Sequence, residues 1–212
     1  MLKRNKKMLA VTSLIMLLPV VAGLILWDRL PEQIPTHWNA AGEIDGWSSK
    51  PFAVFALPAI ILGIHWLCVF AAAADPKNKG NNEKYFSLVL WISPVLSVLV
   101  GALIYCAGLG TQIRMERVMP ILIGGLFVFL GNRMPKLKQN FTMGIKLPWT
   151  MYDEENWNKT HRLAGKLWVV TGVIIMISGF FNWFYVTLIA LVPTAVAPAV
   201  YSYWLYRKNP RG

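Results

Sequence analysis

The chain has 212 residues, 56% of them hydrophobic and only 15% charged, with a formal net charge of +11 and a mean hydropathy of +0.47. Soluble domains carry about 25% charged residues; here the charges cluster in short segments between apolar runs of about 20 residues, the length of helix that crosses ~30 Å of hydrocarbon. An ordinary soluble fold is excluded, and the positive balance, with no basic helix or nucleic-acid motif beside it, reads as the inner loops of a membrane protein and not as direct nucleic-acid binding.

The first seven residues, MLKRNKK, are basic, and 8–27 are almost continuously apolar up to Trp27. This has the outline of a signal peptide, but the apolar run is long and is followed by Asp28, Arg29, Leu30 and Pro31 instead of a small-x-small cleavage site. An uncleaved first helix is expected. Residues 28–50 form a polar loop with Pro, Gly and Asn turn signals. A second run covers 51–74, a short basic loop 75–84, and a third run 85–109. After GTQIRMERV comes a shorter run, 118–132, then the longest polar stretch, 133–163. The fifth and sixth runs, 164–181 and 184–206, are joined by a tight turn at Asn182, and the chain ends in RKNPRG.

This gives an all-α, polytopic membrane protein: a bundle of six transmembrane helices forming a single membrane domain over 1–212. Within it, 1–75 is an N-terminal helix pair with its loop, and 85–212 a four-helix part. Of the 21 Lys and Arg, four lie at the start, three in 75–84, seven in 133–166 and three in the tail, against two in 28–50 and two in 110–117. The positive-inside rule therefore puts both termini in the cytoplasm and loop 28–50 outside. Gly165, Gly172 and Gly179, seven apart, offer one close-approach face on helix five, as Ser93, Ser97 and Gly101 do on helix three. Cys68 and Cys106 lie in apolar runs at no metal or redox spacing and read as small buried residues.

The apolar cores contain no Asp, Glu, Lys or Arg, whereas ion-coupled transporters place ionisable groups there. His65 is the one titratable exception, and its simplest reading is a histidine hydrogen-bonded within the bundle. No zinc-protease motif, nucleophile elbow or phosphate loop occurs, so neither an enzyme nor a cofactor is expected. Chemistry concentrates in two segments. In the outer loop, Pro31 and Pro35 restrain the backbone, Gly42 and Gly46 allow tight turns, Trp38 and Trp47 supply rigid surface, and His37, Glu43, Asp45 and Lys50 supply polar contacts. It is either an interfacial cap or a binding surface. The inner segment 144–166, GIKLPWTMYDEENWNKTHRLAGK, reads as an amphipathic lead-in to helix five. Thr150 and Asp153 fit a capping box, with Asp153, Glu154 and Glu155 in the first turn, where the helix dipole favours anions. Trp157, His161, Ala164 and Trp168 are spaced to share a face. Capping explains the carboxylates more simply than a metal site does.

The loop LPEQIPTHWNAAGEIDGWSSK resembles a short N-terminal domain of unknown function found in bacterial membrane proteins, with the pattern LP-x-x-IP-x-H-[FW]-x-x-x-G-x-x-D-[GY]. The inner segment, MGIKLPWTMYDEENWNKTHRLAGKLW, resembles the signature of the SdpI family, and the order of the two segments and the helix count match as well. Ile44 and Lys146 stand where many relatives carry Pro and Arg. The resemblance implies a non-enzymatic membrane immunity protein that protects a bacterium against its own secreted peptide toxin. It also implies a receptor role, in which a cytoplasmic winged-helix repressor is sequestered at the membrane. Candidate toxin-binding residues are Pro35, His37, Trp38, Gly42, Asp45, Trp47 and Lys50. Candidate docking or structural residues of the inner motif are Trp149, Thr150, Asp153, Trp157, Thr160, His161, Arg162 and Gly165. A small transporter or permeability-regulating protein is the alternative.

The topology is testable directly. Alkaline phosphatase and a fluorescent protein, fused separately after Gly212, should give a dark phosphatase assay and a bright fluorescent cell; the reverse pattern would rule out an even helix number with both ends inside.

Overall fold

A computed structural model describes residues 1–39, 41–78, 83–181 and 183–208. Among these, six helical spans are long and apolar enough to cross a membrane: Lys6–Ile25, Phe52–Ala74, Phe86–Gly108, Met115–Lys136, Glu154–Phe181 and Tyr185–Lys208. Many of their large apolar side chains point outward, Ile25 at 77% exposure and Ile189 at 71% among them. Outward apolar faces suit a lipid solvent, in which only the backbone must be satisfied internally. The turn expected at Asn182 and the end of the tail, 209–212, lie outside the described residues.

The chain forms two compact units, Met1–Arg114 and Met115–Gly212. In the first, the leading span is two helices, α1 (Lys6–Ile15) and α2 (Leu18–Ile25). Pro19 explains the break: it has no N–H to give the carbonyl four residues back, yet suits the first turn of the new helix. Strands β1 (Gln33–Trp38) and β2 (Ile44–Ser49) follow as an antiparallel pair, then a π-helical turn, Phe52–Ala56, and α3 (Leu57–Ala74). The wide turn sits where Pro58 withholds an N–H from the carbonyl of Val54. Helix α4 (Glu83–Gly108) closes the unit. At the hairpin end Leu30, Ile34, Ala53, Val54, Ile104 and Tyr105 form one buried cluster; at the other end Leu9, Val69, Ala72, Phe86 and Leu90 form a second. From the hairpin-end cluster the Tyr105 hydroxyl donates to the Pro19 carbonyl at 3.0 Å. Gly101 does provide the close approach expected of it, against the ring of Pro19.

The second unit is built on α5 (Met115–Arg133), a short α6 (Pro148–Tyr152), α7 (Glu154–Phe181) and α8 (Phe184–Lys208). The glycines of α7 meet α5, which runs antiparallel to it. A Cβ on Gly172 would lie within 3 Å of the Gly124 carbonyl oxygen and the Val128 nitrogen; Gly165 has the same relation to the Gly131 carbonyl, and Gly179 to the ring of Pro120. Backbone therefore packs on backbone along the seam. Helix α8 joins α7 through paired hydroxyls, Thr171 with Thr194 and Ser178 with Thr187 at 2.7 Å.

Three expectations need correction. The loop 28–50 contains a β-hairpin. Thr150 does not cap helix five: it lies inside α6, and Asp153 caps α7, accepting the Glu155 N–H at 2.8 Å. Cys68 and Cys106 are free and exposed, on outward faces where lipid accepts apolar side chains as readily as a core does.

The seam predicts a sharp asymmetry between neighbouring glycines. Gly172→Leu should cost about 2 kcal/mol by overpacking, read as a lowered thermal midpoint in detergent. Gly125→Ala, where an added Cβ meets nothing within 4 Å, should leave the midpoint unchanged or slightly raised.

Candidate functional site

The hairpin is held at both ends. At its base Ile34 is fully buried in the cluster beneath, and Pro35 is buried beside it. Lys50, at the end of β2, is 6% exposed; its ammonium donates to the Trp27 carbonyl at 3.2 Å, pairs with Glu32 at 2.8 Å and lies 5.3 Å from the centre of the Trp27 ring. At the tip, Asn39 Oδ1 accepts the N–H groups of Ala41 and Glu43, and its amide donates to the Glu43 carboxylate. Gly42 takes φ 83°, a value that favours glycine.

Between the base and the tip, His37 Nδ1 and Asp45 Oδ1 lie 2.6 Å apart, with the imidazole 71% exposed. Gly46, paired with His37 across the strands, makes room for it: a Cβ there would come within 2.9 Å of His37 Cβ. Trp47 is 55% exposed, and Trp38 packs partly on the cluster below. The candidate residues thus separate by role. His37, Asp45 and Trp47 are presented outward, while Pro35, Lys50 and the inner edge of Trp38 hold the frame. Glu32, the partner of Lys50, was not among the sequence candidates; an acidic residue facing a lone loop lysine was the available signal.

The inner segment is organised around Trp157, which is fully buried on α7. Its indole N–H donates to the Leu137 carbonyl at 2.7 Å, and its ring stacks on His161 at 4.0 Å. His161 Nδ1 donates to the Trp157 carbonyl and Nε2 accepts the Ile145 N–H at 3.0 Å, so both nitrogens are used by a neutral ring. That leaves His161 with no lone pair for a metal. Gly144 makes the approach possible, at φ 116° and pressed against the same two rings. Thr150 Oγ1 accepts the Leu147 N–H at 2.9 Å and sits within bonding distance of the Ile145 and Leu147 carbonyls. Gln139, missed in the sequence, donates to the carbonyls of Thr150 and Met151.

Thr160 is also buried and donates to Asn156 Oδ1 at 3.0 Å. Asn156, likewise missed, exchanges two hydrogen bonds with Ser202 of α8. Trp149 rests on Tyr203 and Tyr206 of α8, and Gly165 lies in the glycine seam. Only Asp153 and Arg162 of the inner candidates are exposed. His65 differs from expectation: it is fully buried, and neither ring nitrogen has a hydrogen-bond partner among the described residues.

Comparison with known proteins divides the chain along the same lines. Residues 14–62 match a domain of unknown function, DUF1648, and residues 136–202 match the SdpI/YfhL protein family. Among curated proteins, the chain is similar to the immunity protein SdpI of Bacillus subtilis (strain 168), with 27% identity over 206 residues, 93% of this chain and 95% of that protein. No solved structure matches.

Proposed function

We propose that this chain, a multi-pass cell-membrane protein of the SdpI family with an N-terminal DUF1648 domain, confers immunity against a secreted peptide toxin, and that the hairpin is the surface the toxin meets. Kinship along nearly the whole length of an immunity protein supports the general role. The observation that carries the site is the hairpin itself: an exposed imidazole–carboxylate pair beside an exposed Trp47, fixed from below by buried Ile34 and Lys50. A rigid aromatic and a polar pair suit a peptide that is apolar and carries hydrogen-bonding groups, because neither partner loses much conformational freedom on contact. The surface faces outward from the cell if the termini are cytoplasmic, as the distribution of Lys and Arg supports. The reading is of a protein that acts by binding, as its similarity to an immunity protein supports.

Replacing His37, Asp45 and Trp47 together with Ala should abolish protection of a sensitive strain from the toxin while membrane abundance stays normal. Full protection by the triple variant at normal abundance would make the hairpin a structural cap.

A signalling role, in which a cytoplasmic winged-helix repressor docks on the inner segment, has a narrower footing. Trp157, Thr160 and His161 are buried, so a docking face would have to use the exposed cations Arg162, Lys166 and Lys146. Arg162→Glu should then release the repressor in co-purification while leaving toxin protection intact, since the side chain serves no internal contact of the motif described above. Normal capture of the repressor by this variant would withdraw Arg162 from the docking face.

A further inference from the structure

Between its two apolar clusters the N-terminal unit buries polar groups that no atom of the described residues satisfies. Besides His65 Nδ1 and Nε2, the hydroxyls of Ser13 on α1 and Ser97 on α4 are buried with no hydrogen-bond partner among the described residues. Helix register brings the three to one level. Leu9, Val69 and Leu90 meet in the cluster farthest from the hairpin. Ser13 is four residues beyond Leu9, His65 four before Val69 on a helix that runs the other way, and Ser97 seven beyond Leu90. Each step keeps a side chain on the same helix face and moves it roughly 6–10 Å toward the hairpin. Contact of Gly101 with Pro19, and the Tyr105–Pro19 hydrogen bond, close the interior on the other side.

A neutral imidazole always presents one donor and one acceptor, and a serine hydroxyl presents both. Leaving all of them unmade in an apolar interior is costly, and proteins resolve such sites with buried water, each molecule making about three hydrogen bonds. No charged side chain is needed, which fits a span interior that has none. We propose that the N-terminal unit holds an internal hydration site at this level, in which one or more ordered water molecules bond His65, Ser13 and Ser97.

The test uses the full-length protein in lipid bilayers with 15N-labelled histidine and water-edited solid-state NMR, the probe being water itself. His65→Phe identifies the His65 ring signals by their loss. In the unmodified protein, magnetisation from water should reach the His65 ring nitrogens at short mixing times. Replacing Ser13 and Ser97 together with Ala should cut that transfer at least twofold while the helical circular-dichroism signal is kept; if the double variant fails to reach the membrane, Ser97→Ala alone is read in the same way. Absence of transfer to His65 in the unmodified protein would overturn the site, as would transfer that the serine substitutions leave unchanged.

Discussion

In hydrocarbon an unpaired peptide N–H or C=O costs several kcal/mol, because no water is present to replace the lost partner. That penalty bears on where irregular backbone occurs within the spans of this chain. The departures from α-helix within the leading two spans stand at Pro19 and Pro58, where the ring removes the donor and the chain adopts a break or a wider turn. Outside the spans, the polar stretch from Leu137 to Leu147 leaves helical geometry altogether, and buried side chains of the inner segment take over the missing bonds. Trp157 satisfies Leu137, His161 satisfies Ile145 and Thr150 satisfies Leu147. The polar density of the inner segment is thus largely spent on its own backbone.

This separates two segments that look alike in composition. Both combine Trp, His, Asp and Thr, yet one turns its chemistry outward and the other inward. In the hairpin the histidine meets a carboxylate at the surface; in the inner segment it lies stacked on an indole with both nitrogens engaged. A dense, specific sequence motif is here a record of how a fold closes, whereas the sparser pattern of the hairpin leaves His37, Asp45 and Trp47 exposed.

Much of the architecture was legible because long apolar runs have one stable solution in a bilayer. The seven-residue glycine spacing on α7 foretold a close-approach face, although only the structure identified Gly124 and Gly131 as its counterpart. The hairpin escaped because QIPTHW and IDGWSS carry little apolar alternation, and Pro35 and Gly46 argue locally against strands. Thr150 misleads because it and Asp153 are both capping residues three apart, yet only Asp153 caps α7; Pro148, which favours a first helical turn, marks the separate, earlier helix that holds Thr150. The cysteines misled for a physical reason: in lipid, an apolar environment does not imply an interior position. Asn156 and Gln139 gave no warning, since a polar side chain that bonds a distant backbone has no local signature.

The slot opposite His37 has a consequence for which positions of the hairpin can change. Position 46 admits no side chain without displacing the imidazole and, with it, the pairing to Asp45. Ile44 and Trp47, exposed neighbours on the same strand, carry no such constraint. A change of side chain at 44 or 47 would therefore reshape the exposed face of the hairpin while the pairing of His37 with Asp45 stays in place.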